Sequence, residues 1–542
     1  MRKRAFAFLV CLAAACLTIS RLPAAENIPA NLQEGYRTIQ VNNLKADLTF
    51  LASDQLEGRL SLTRGSEVAA QWIQSEFAKV GLKPLTDNKY LQTVPLWEYR
   101  PDHEGSFLTV KGREEKFRFP EAYGQFPENV DISGPLVFAG YGITAPELNY
   151  DDYQGINTSG KVVLIFDHEP QEADAQSIFN GLGNTRYATT RVKTLNAQAH
   201  GAIAVLIVAE PNRKHVSNQE RLAKIAGMQQ RMTRIASEAI IGDEIHIPSM
   251  TISDKLAAQL LAPLQTTPSA LQTIIDKDLT TASRPLPNTT VSLHLDNSQA
   301  RRSRSYNVAG LLEGSDPTLK SETVVISGHF DHDGTDGKEI WHGADDNGSG
   351  TVGVVELARA FAANQTKPKR SILFIVFAAE ERGLLGSYYY VQHPLRPLDT
   401  TRSVINFDMI GRNETPSKQT DGVINIAPDT SNDLNLIGTN YTLDYRKTVE
   451  AANENVGLHL DYKWDQEASL NVFFRSDQFP FALHGIPAIW WFTGFHPDYH
   501  QTTDTADRIN YEKMAKILKL AYLAAWNFGN EPNAPRFNPQ GR

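Results

Sequence analysis

The most informative stretch of the chain is SILFIVFAAEERG, residues 371–383, because an apolar run leads directly into an acidic pair. Two further stretches have the same design, TVVISGHFDH at residues 323–332 and SVINFDMIG at residues 403–411. Short apolar runs rich in β-branched residues are typical of strands buried on both faces of a parallel sheet. Each stretch therefore predicts a buried strand that ends at polar side chains.

A helical pattern lies between two of these runs, in GTVGVVELARAFAANQ at residues 350–365. Here Val352, Val355, Ala358 and Phe361 recur at the spacing of one helical face. Strands that alternate with polar loops and helices favour the α/β class. We therefore predict an α/β fold with a mixed, mostly parallel central sheet flanked by helices.

The polar residues after these runs form a set typical of a metal site. Histidine nitrogen and carboxylate oxygen are ligands that zinc accepts readily, and two histidines with three carboxylates suit a pair of ions that share one carboxylate. These residues are far apart in the chain, but the carboxyl ends of parallel strands meet at one edge of a sheet. The sequence thus predicts two zinc ions and a ligand set of His329, Asp346, Glu381, Asp408 and His500.

These segments resemble the co-catalytic zinc peptidase family that contains bacterial leucine aminopeptidases, glutamate carboxypeptidase and the transferrin receptor. The resemblance covers about residues 305–527 and reaches back to residues 44–85, which contain an LEGR turn. It implies the zinc-peptidase fold. It also implies that His329 and Asp408 complete one ion site, that Glu381 and His500 complete the other, and that Asp346 bridges them.

The resemblance also implies roles for residues beside the ligands. Glu380 corresponds to the general base, and Asp331 to a carboxylate that orients a ligand imidazole. Tyr499 matches a position where some members place an oxyanion-stabilising phenol. A cis peptide bond is expected between Asp346 and Asn347.

The implied activity is that of a metallo-aminopeptidase, a hydrolase that removes one N-terminal residue from peptide substrates. Other routes to peptide hydrolysis lack their motifs, since the chain contains neither a G-x-S-x-G nor an H-E-x-x-H sequence. Three alternatives share the scaffold. They are a carboxypeptidase, a glutaminyl cyclase, for which one zinc is typical, and a non-catalytic binding protein.

A region with a different sequence pattern, short apolar segments separated by polar turns, precedes the main run of motifs. Its segments GPLVFAGYGI, SGKVVLI and AHGAIAVLIV resemble the protease-associated domain, a small β-rich module inserted in this family. Two roles are possible for this domain, a lid over the cleft or a spacer that only packs against the peptidase domain. The expected organisation is a signal peptide at 1–25, an N-terminal part of the peptidase domain at 26–115, the inserted domain with its connections at 116–295, the main peptidase domain at 296–530 and a disordered tail at 531–542.

The first residues, MRKRAFAFLVCLAAACLTISRLPAAE, have a basic start, an apolar stretch and small residues, as a secretory signal does. We expect cleavage near Ala25 and an exported protein, periplasmic or extracellular, without a membrane span. The alternative is a lipoprotein acylated at Cys16. Because Cys11 and Cys16 are the chain's two cysteines, the processed protein would have no disulfide. The formal net charge of −9 argues against nucleic acid as a partner.

Overall fold

The computed structural model describes residues 28–87, 89–212, 235–467 and 469–540. The expected signal peptide, with Cys11 and Cys16, lies outside these ranges. No helix among the described residues has the length and apolar character needed to cross a membrane.

The described α-helices are α1 Gln33–Thr38, α2 Val41–Leu51, α3 Arg64–Lys79, α4 Thr190–Ala199, α5 Asp254–Leu261, α6 Pro268–Asp278, α7 Gly350–Ala363, α8 Leu385–Gln392, α9 Leu443–Asn453, α10 Gln478–Leu483 and α11 Tyr511–Asn530. The strands are β1 Leu91–Val110, β2 Lys116–Phe117, β3 Ala122–Gly124, β4 Val130–Phe138, β5 Thr144–Ala145, β6 Tyr150–Asp151, β7 Val162–Phe166, β8 Ala204–Val208, β9 Ser237–Ile240, β10 Ser249–Ile252, β11 Arg284–Leu312, β12 Thr323–His329, β13 Gly334–Thr335, β14 Ile340–Trp341, β15 Ser371–Phe377, β16 Thr401–Phe407, β17 Asp433–Ile437, β18 His459–Asp461 and β19 Ala488–Phe492.

The three apolar runs of the sequence form the middle of the central sheet. Strand β12 pairs in parallel with β15 on one side and with β16 on the other, and β16 pairs in parallel with β19. Every residue of β12 and β15 is buried, because helices cover the sheet. The predicted α/β fold with a mostly parallel central sheet is therefore confirmed. The parallel strands bring their carboxyl ends to one edge, where the polar residues follow.

A second hydrophobic core lies in the inserted region. Its strands β4, β7, β8 and β10 are parallel neighbours, and they pack against helices α5 and α6. The first core contains apolar residues of α3, α7 and α11 and of the central strands. Each core has its own apolar cluster, so each can be stabilised by burial of its own side chains.

Two long strands connect these cores. Strands β1 and β11 pair antiparallel from Leu91 opposite Val308 to Val110 opposite Val291. Strand β11 then pairs with β15 in the central sheet and with β4 in the inserted region. One continuous path of hydrogen-bonded strands therefore runs through both parts of the chain.

The end of the chain, for which a disordered tail is expected, has no regular secondary structure in its described part. Residues 531–540 contain neither helix nor strand, yet they lie against the peptidase domain. The ring of Phe537 stacks on that of Tyr441 at 5.6 Å, and the Asn538 amide donates to the Tyr441 carbonyl. Further contacts come from the Arg370 guanidinium, which donates to the Glu531 carbonyl at 2.6 Å, and from Arg536, which pairs with Asp444 at 3.0 Å.

Candidate metal centre

The ends of the central strands bring the predicted ligands together. His329 is the last residue of β12, Asp408 directly follows β16, and Glu381 lies in the turn after β15. Asp346 lies in the irregular turn before α7, and His500 lies in the loop after β19. Residues that are far apart in sequence thus converge at one edge of the sheet.

The five side chains form two groups that share Asp346. The Nε2 atom of His329 lies 3.6 Å from Oδ1 of Asp346 and 3.6 Å from Oδ1 of Asp408. The Nε2 atom of His500 lies 3.3 Å from the other Asp346 oxygen, Oδ2, and 3.5 Å from Oε2 of Glu381. Asp346 thus directs one oxygen into each group, as a bridging carboxylate does.

The donor spacing fits zinc. Nitrogen and oxygen ligands lie about 2.0 to 2.2 Å from a tetrahedral zinc ion, so two such ligands are separated by about 3.3 to 3.6 Å. The distances in both groups fall in this interval. In addition, Nε2 of His329 is buried and has no hydrogen-bond partner among the described residues. A buried nitrogen without a partner is costly unless a cation accepts its lone pair.

Burial crowds the carboxylates of this site into a region of low polarity. Burial, together with the charge of Glu381, raises the pKa of Asp346 to about 8. Burial also raises the pKa of Glu380 well above its usual value, against the influence of His329. So many carboxylates can be charged together only if cations compensate them. A pair of divalent ions would do so.

The peptide bond between Asp346 and Asn347 is cis, as the resemblance implies. Next to this bond, Oδ2 of Asp504 accepts hydrogen bonds from the backbone N–H groups of Asp345 at 2.9 Å and of Asp346 at 3.1 Å. These contacts hold the turn that carries the shared carboxylate. The sequence did not single out Asp504, although it lies in the same DYHQTTDT segment as His500.

Asp331 contacts both a histidine and the acidic turn. Its Oδ1 lies 3.8 Å from Nδ1 of His329, whereas the Asp331 carbonyl oxygen is closer to that nitrogen, at 3.3 Å. The two carboxylate oxygens accept the backbone N–H groups of Glu380 at 3.0 Å and Glu381 at 3.3 Å. Asp331 therefore holds the acidic turn in place as well as facing the imidazole.

Sequence reasoning missed two residues of the same loop. Oδ2 of Asp333 lies 2.6 Å from Nδ1 of His500 and can orient that ring. Nδ1 of His332 lies 2.8 Å from Oε1 of Glu381, and His332, Asp346 and Glu381 form a further group of potential donors. Asp333 could have been noticed in the sequence, because His329, Asp331 and Asp333 occupy alternate positions at the end of β12 and in the loop after it.

Arg59 of the LEGR turn connects two loops that carry site residues. Arg59 is fully buried, and its guanidinium donates to the carbonyl oxygens of Phe330 at 2.7 Å, His342 at 2.7 Å and Gly343 at 2.8 Å. One side chain thus connects the loop after β12 with the turn that carries Asp346. Burial lowers the pKa of Arg59 to about 10, against the attraction of Asp504.

Tyr499 lies at the wall of a cleft of about 870 Å³ beside these groups. Its hydroxyl oxygen accepts a hydrogen bond from Nη2 of Arg475 at 3.0 Å, and its ring contacts the edge of the His500 ring. Part of the cleft wall is apolar and consists of Leu384, Met409, Phe474, Trp490 and Phe495. The cleft is therefore large enough for a short peptide and joins an apolar wall to the donor groups.

A parallel sheet with histidines and carboxylates at its strand ends is the architecture of a metal-dependent hydrolase. Residues 307–525 match the model of Peptidase family M28, and residues 132–260 match that of the PA domain. The chain thus contains a peptidase family M28 domain and an inserted PA domain. The predicted family and the inserted domain are therefore confirmed.

The curated relatives bear names that agree with the predicted class of aminopeptidases. The chain is 24% identical over 526 residues to aminopeptidase YwaD of Bacillus subtilis (strain 168), covering 95% of this chain and 92% of the relative. It is 28% identical over 263 residues to a probable leucine aminopeptidase 2 of Aspergillus oryzae, covering 44% of this chain and 48%, about half, of that relative. Among solved structures, an aminopeptidase from Aneurinibacillus sp. strain AM-1 matches with a TM-score of 0.48 at 21% identity, covering 94% of this chain and 97% of that one.

Proposed function

We propose that this chain is an exported, zinc-dependent aminopeptidase that hydrolyses the first peptide bond of its substrates with two zinc ions and a glutamate base. The observation that carries the proposal is the pair of donor groups that share Asp346. His329 and Asp408 would hold one ion, and Glu381 and His500 the other. Ions bound there would supply Lewis acidity, which polarises a carbonyl group and makes water acidic enough to lose a proton near neutral pH.

Glu380 is the residue placed to move the proton. Its Oε2 lies 3.7 Å from Nε2 of His329, and Glu380 belongs to none of the potential donor groups among the described residues. Its carboxylate is therefore free to take a proton from the attacking water and to pass it to the leaving amine. Asp331 positions it through the hydrogen bond from the Glu380 backbone N–H.

Tyr499 would stabilise the oxyanion that develops on the scissile carbonyl. Because its hydroxyl oxygen accepts from Arg475, its own O–H group stays available to donate. Burial raises the pKa of Tyr499, so the phenol keeps its proton at neutral pH. A neutral donor fixed in a cleft is the arrangement that stabilises developing negative charge.

The substrates would be peptides whose N-terminal side chain is apolar. The apolar part of the wall, including Met409, Trp490 and Phe495, can bury such a side chain near the donor groups. The basic and apolar first 25 residues support export to the periplasm or the medium, with a lipid anchor on Cys16 as the alternative. The acidic net charge gives no reason to expect a nucleic-acid partner.

The test compares free and blocked amino ends. Purified protein supplied with zinc should hydrolyse leucyl anilide and short free peptides, and the N-acetylated forms should react at least about tenfold more slowly, since acetylation removes the amine that the site recognises. Release of residues from the carboxyl end would indicate a carboxypeptidase instead. Cyclisation of N-terminal glutamine with one zinc per chain would indicate a glutaminyl cyclase.

A further inference from the structure

Arg382 follows the proposed base and ligand directly in the chain. The backbone N–H of Gly383 donates to the Glu380 carbonyl at 2.9 Å, which closes a tight turn with Glu381 and Arg382 at its centre. The N–H of Leu384 donates to the same carbonyl at 2.8 Å. Arg382 is therefore held at a fixed place beside Glu380, and it lines the same cleft.

The guanidinium of Arg382 lies near the carboxylates of Glu238 and Asp331, but two of its nitrogen atoms make no hydrogen bond among the described residues. Its Nε and Nη2 atoms are buried from solvent and have no hydrogen-bond partner in the part of the chain that the structure describes. The nearby carboxylate of Glu238 accepts from the Ser61 hydroxyl at 2.8 Å instead. Arg475, the other arginine of the cleft, donates to Tyr499 and lies over the ring of Phe495. Nε and Nη2 of Arg382 are thus hydrogen-bond donors at the cleft without an acceptor among the described residues.

A buried guanidinium without an acceptor is unfavourable, because its donors lose water without a replacement. A carboxylate is the acceptor that satisfies it best, through two parallel charge-assisted hydrogen bonds. The carboxylates of the turn cannot serve, because Glu380 and Glu381 face the histidines, at 3.7 Å from His329 and 3.5 Å from His500. The nearby carboxylates of Glu238 and Asp331 accept hydrogen bonds from Ser61 and from the backbone of the turn. A carboxylate on a bound substrate would supply the acceptor that Nε and Nη2 of Arg382 lack.

The proposed role of Glu380 indicates which part of the substrate Arg382 contacts. Glu380 must deliver a proton to the leaving amine, so the residue after the scissile bond lies on its side of the site. Arg382 lies two residues further along the same turn and lines the same cleft, so we place it next to this leaving portion. A carboxylate on the leaving portion of a short peptide lies only a few bonds from that amine.

We propose that Arg382 binds a carboxylate on the leaving portion of the substrate, which makes this site selective for peptides that carry a carboxylate close to the scissile bond. The inference rests on the proposed function and adds the substrate class. The carboxylate has two possible sources, the α-carboxylate of a di- or tripeptide and an acidic side chain next to the scissile bond. Both present the same chemistry to the guanidinium.

The test is the ratio of kcat/KM for substrates that differ only in this carboxylate. Leu-Ala is compared with Leu-Ala amide, and Leu-Glu amide with Leu-Gln amide. In the wild type, at least one acid should react about 10 to 100 times faster than its neutral counterpart, the effect of a hydrogen-bonded charge pair. The ratio should fall to about 1 in Arg382→Gln, take an intermediate value in Arg382→Lys and drop below 1 in Arg382→Glu.

A matched control removes a positive charge elsewhere. Arg301 pairs with Glu98 on the surface strands, and Arg301→Gln should leave the ratio as in the wild type. A preference confined to Leu-Ala identifies the α-carboxylate, and one confined to Leu-Glu amide identifies the side chain. Equal rates for both pairs in the wild type, or a ratio that persists in Arg382→Gln, would overturn the inference.

Binding provides a measurement independent of turnover. An analogue of Leu-Ala with a reduced peptide bond, and its amide, are titrated into the zinc-loaded protein by calorimetry. The acid should bind the wild type about tenfold more tightly than the amide and lose this advantage in Arg382→Gln. If the wild type hydrolyses leucyl anilide but shows no carboxylate preference, only this inference fails. If it hydrolyses neither anilide nor peptides, the proposed function fails.

Discussion

Replacement of Glu380 by glutamine tests the proton transfer on which the proposed mechanism depends. Glutamine has nearly the same volume as glutamate and keeps one oxygen, but it cannot accept a proton. The backbone hydrogen bond from residue 380 to Asp331 is unaffected. Because Glu380 lies outside the potential donor groups among the described residues, both ions should stay bound. The change therefore isolates the acid–base step.

The expected loss is that of one general base. Such a group contributes about 10²- to 10⁴-fold to a rate, or about 3 to 5 kcal/mol of activation free energy. We expect kcat of Glu380→Gln to fall by this factor while KM changes little. The melting temperature should stay constant or rise, because burial disfavours the charged carboxylate that is removed.

The assay combines three measurements on the same preparation: hydrolysis of leucyl anilide, zinc content by elemental analysis, and thermal unfolding. The control is Glu339→Gln, which removes an exposed carboxylate outside the cleft and should behave as the wild type. A variant that loses zinc would show that Glu380 is a ligand. A variant that keeps kcat within about tenfold would show that another group moves the proton.

Further predictions concern the supports of the site. Removal of zinc with a chelator, or His329→Ala, should abolish activity and lower the melting temperature, and added zinc should restore only the wild type, which thermal unfolding with and without zinc checks. Asp333→Asn weakens the contact with His500 and should lower zinc affinity about 10- to 100-fold, as competition with a chromophoric chelator would show. Tyr499→Phe should lower kcat by up to about 10²-fold with zinc content unchanged; an unchanged kcat would remove its proposed role. Arg59→Ala leaves buried carbonyl oxygens without donors and should cost about 3 kcal/mol or more of unfolding free energy, measured by urea denaturation.

Much of the fold could be predicted because its signals are local. The apolar runs that became β12, β15 and β16 are continuous in sequence, and the spacing of Val352, Val355, Ala358 and Phe361 marks one face of α7. His329, Glu381 and Asp408 could be singled out because each lies at or shortly after the end of such an apolar run. Asp346 and His500 have no such run directly before them. The contact of Phe537 with Tyr441 could not be predicted, because it joins the tail to a distant part of the chain.

By itself, the sequence determined the fold class, the family, the inserted PA domain and the residue types that can bind metal. Only the tertiary structure decided that Asp346 directs one oxygen to each donor group, that Asp333 holds His500 and that Arg59 connects two loops of the site. It also decided that β11 carries one sheet through both cores and that Nε and Nη2 of Arg382 are left without a hydrogen-bond partner among the described residues. The physical reason is distance along the chain. Strand and helix signals lie within a few residues of each other, whereas hydrogen bonds and burial at a site depend on segments that meet only after folding.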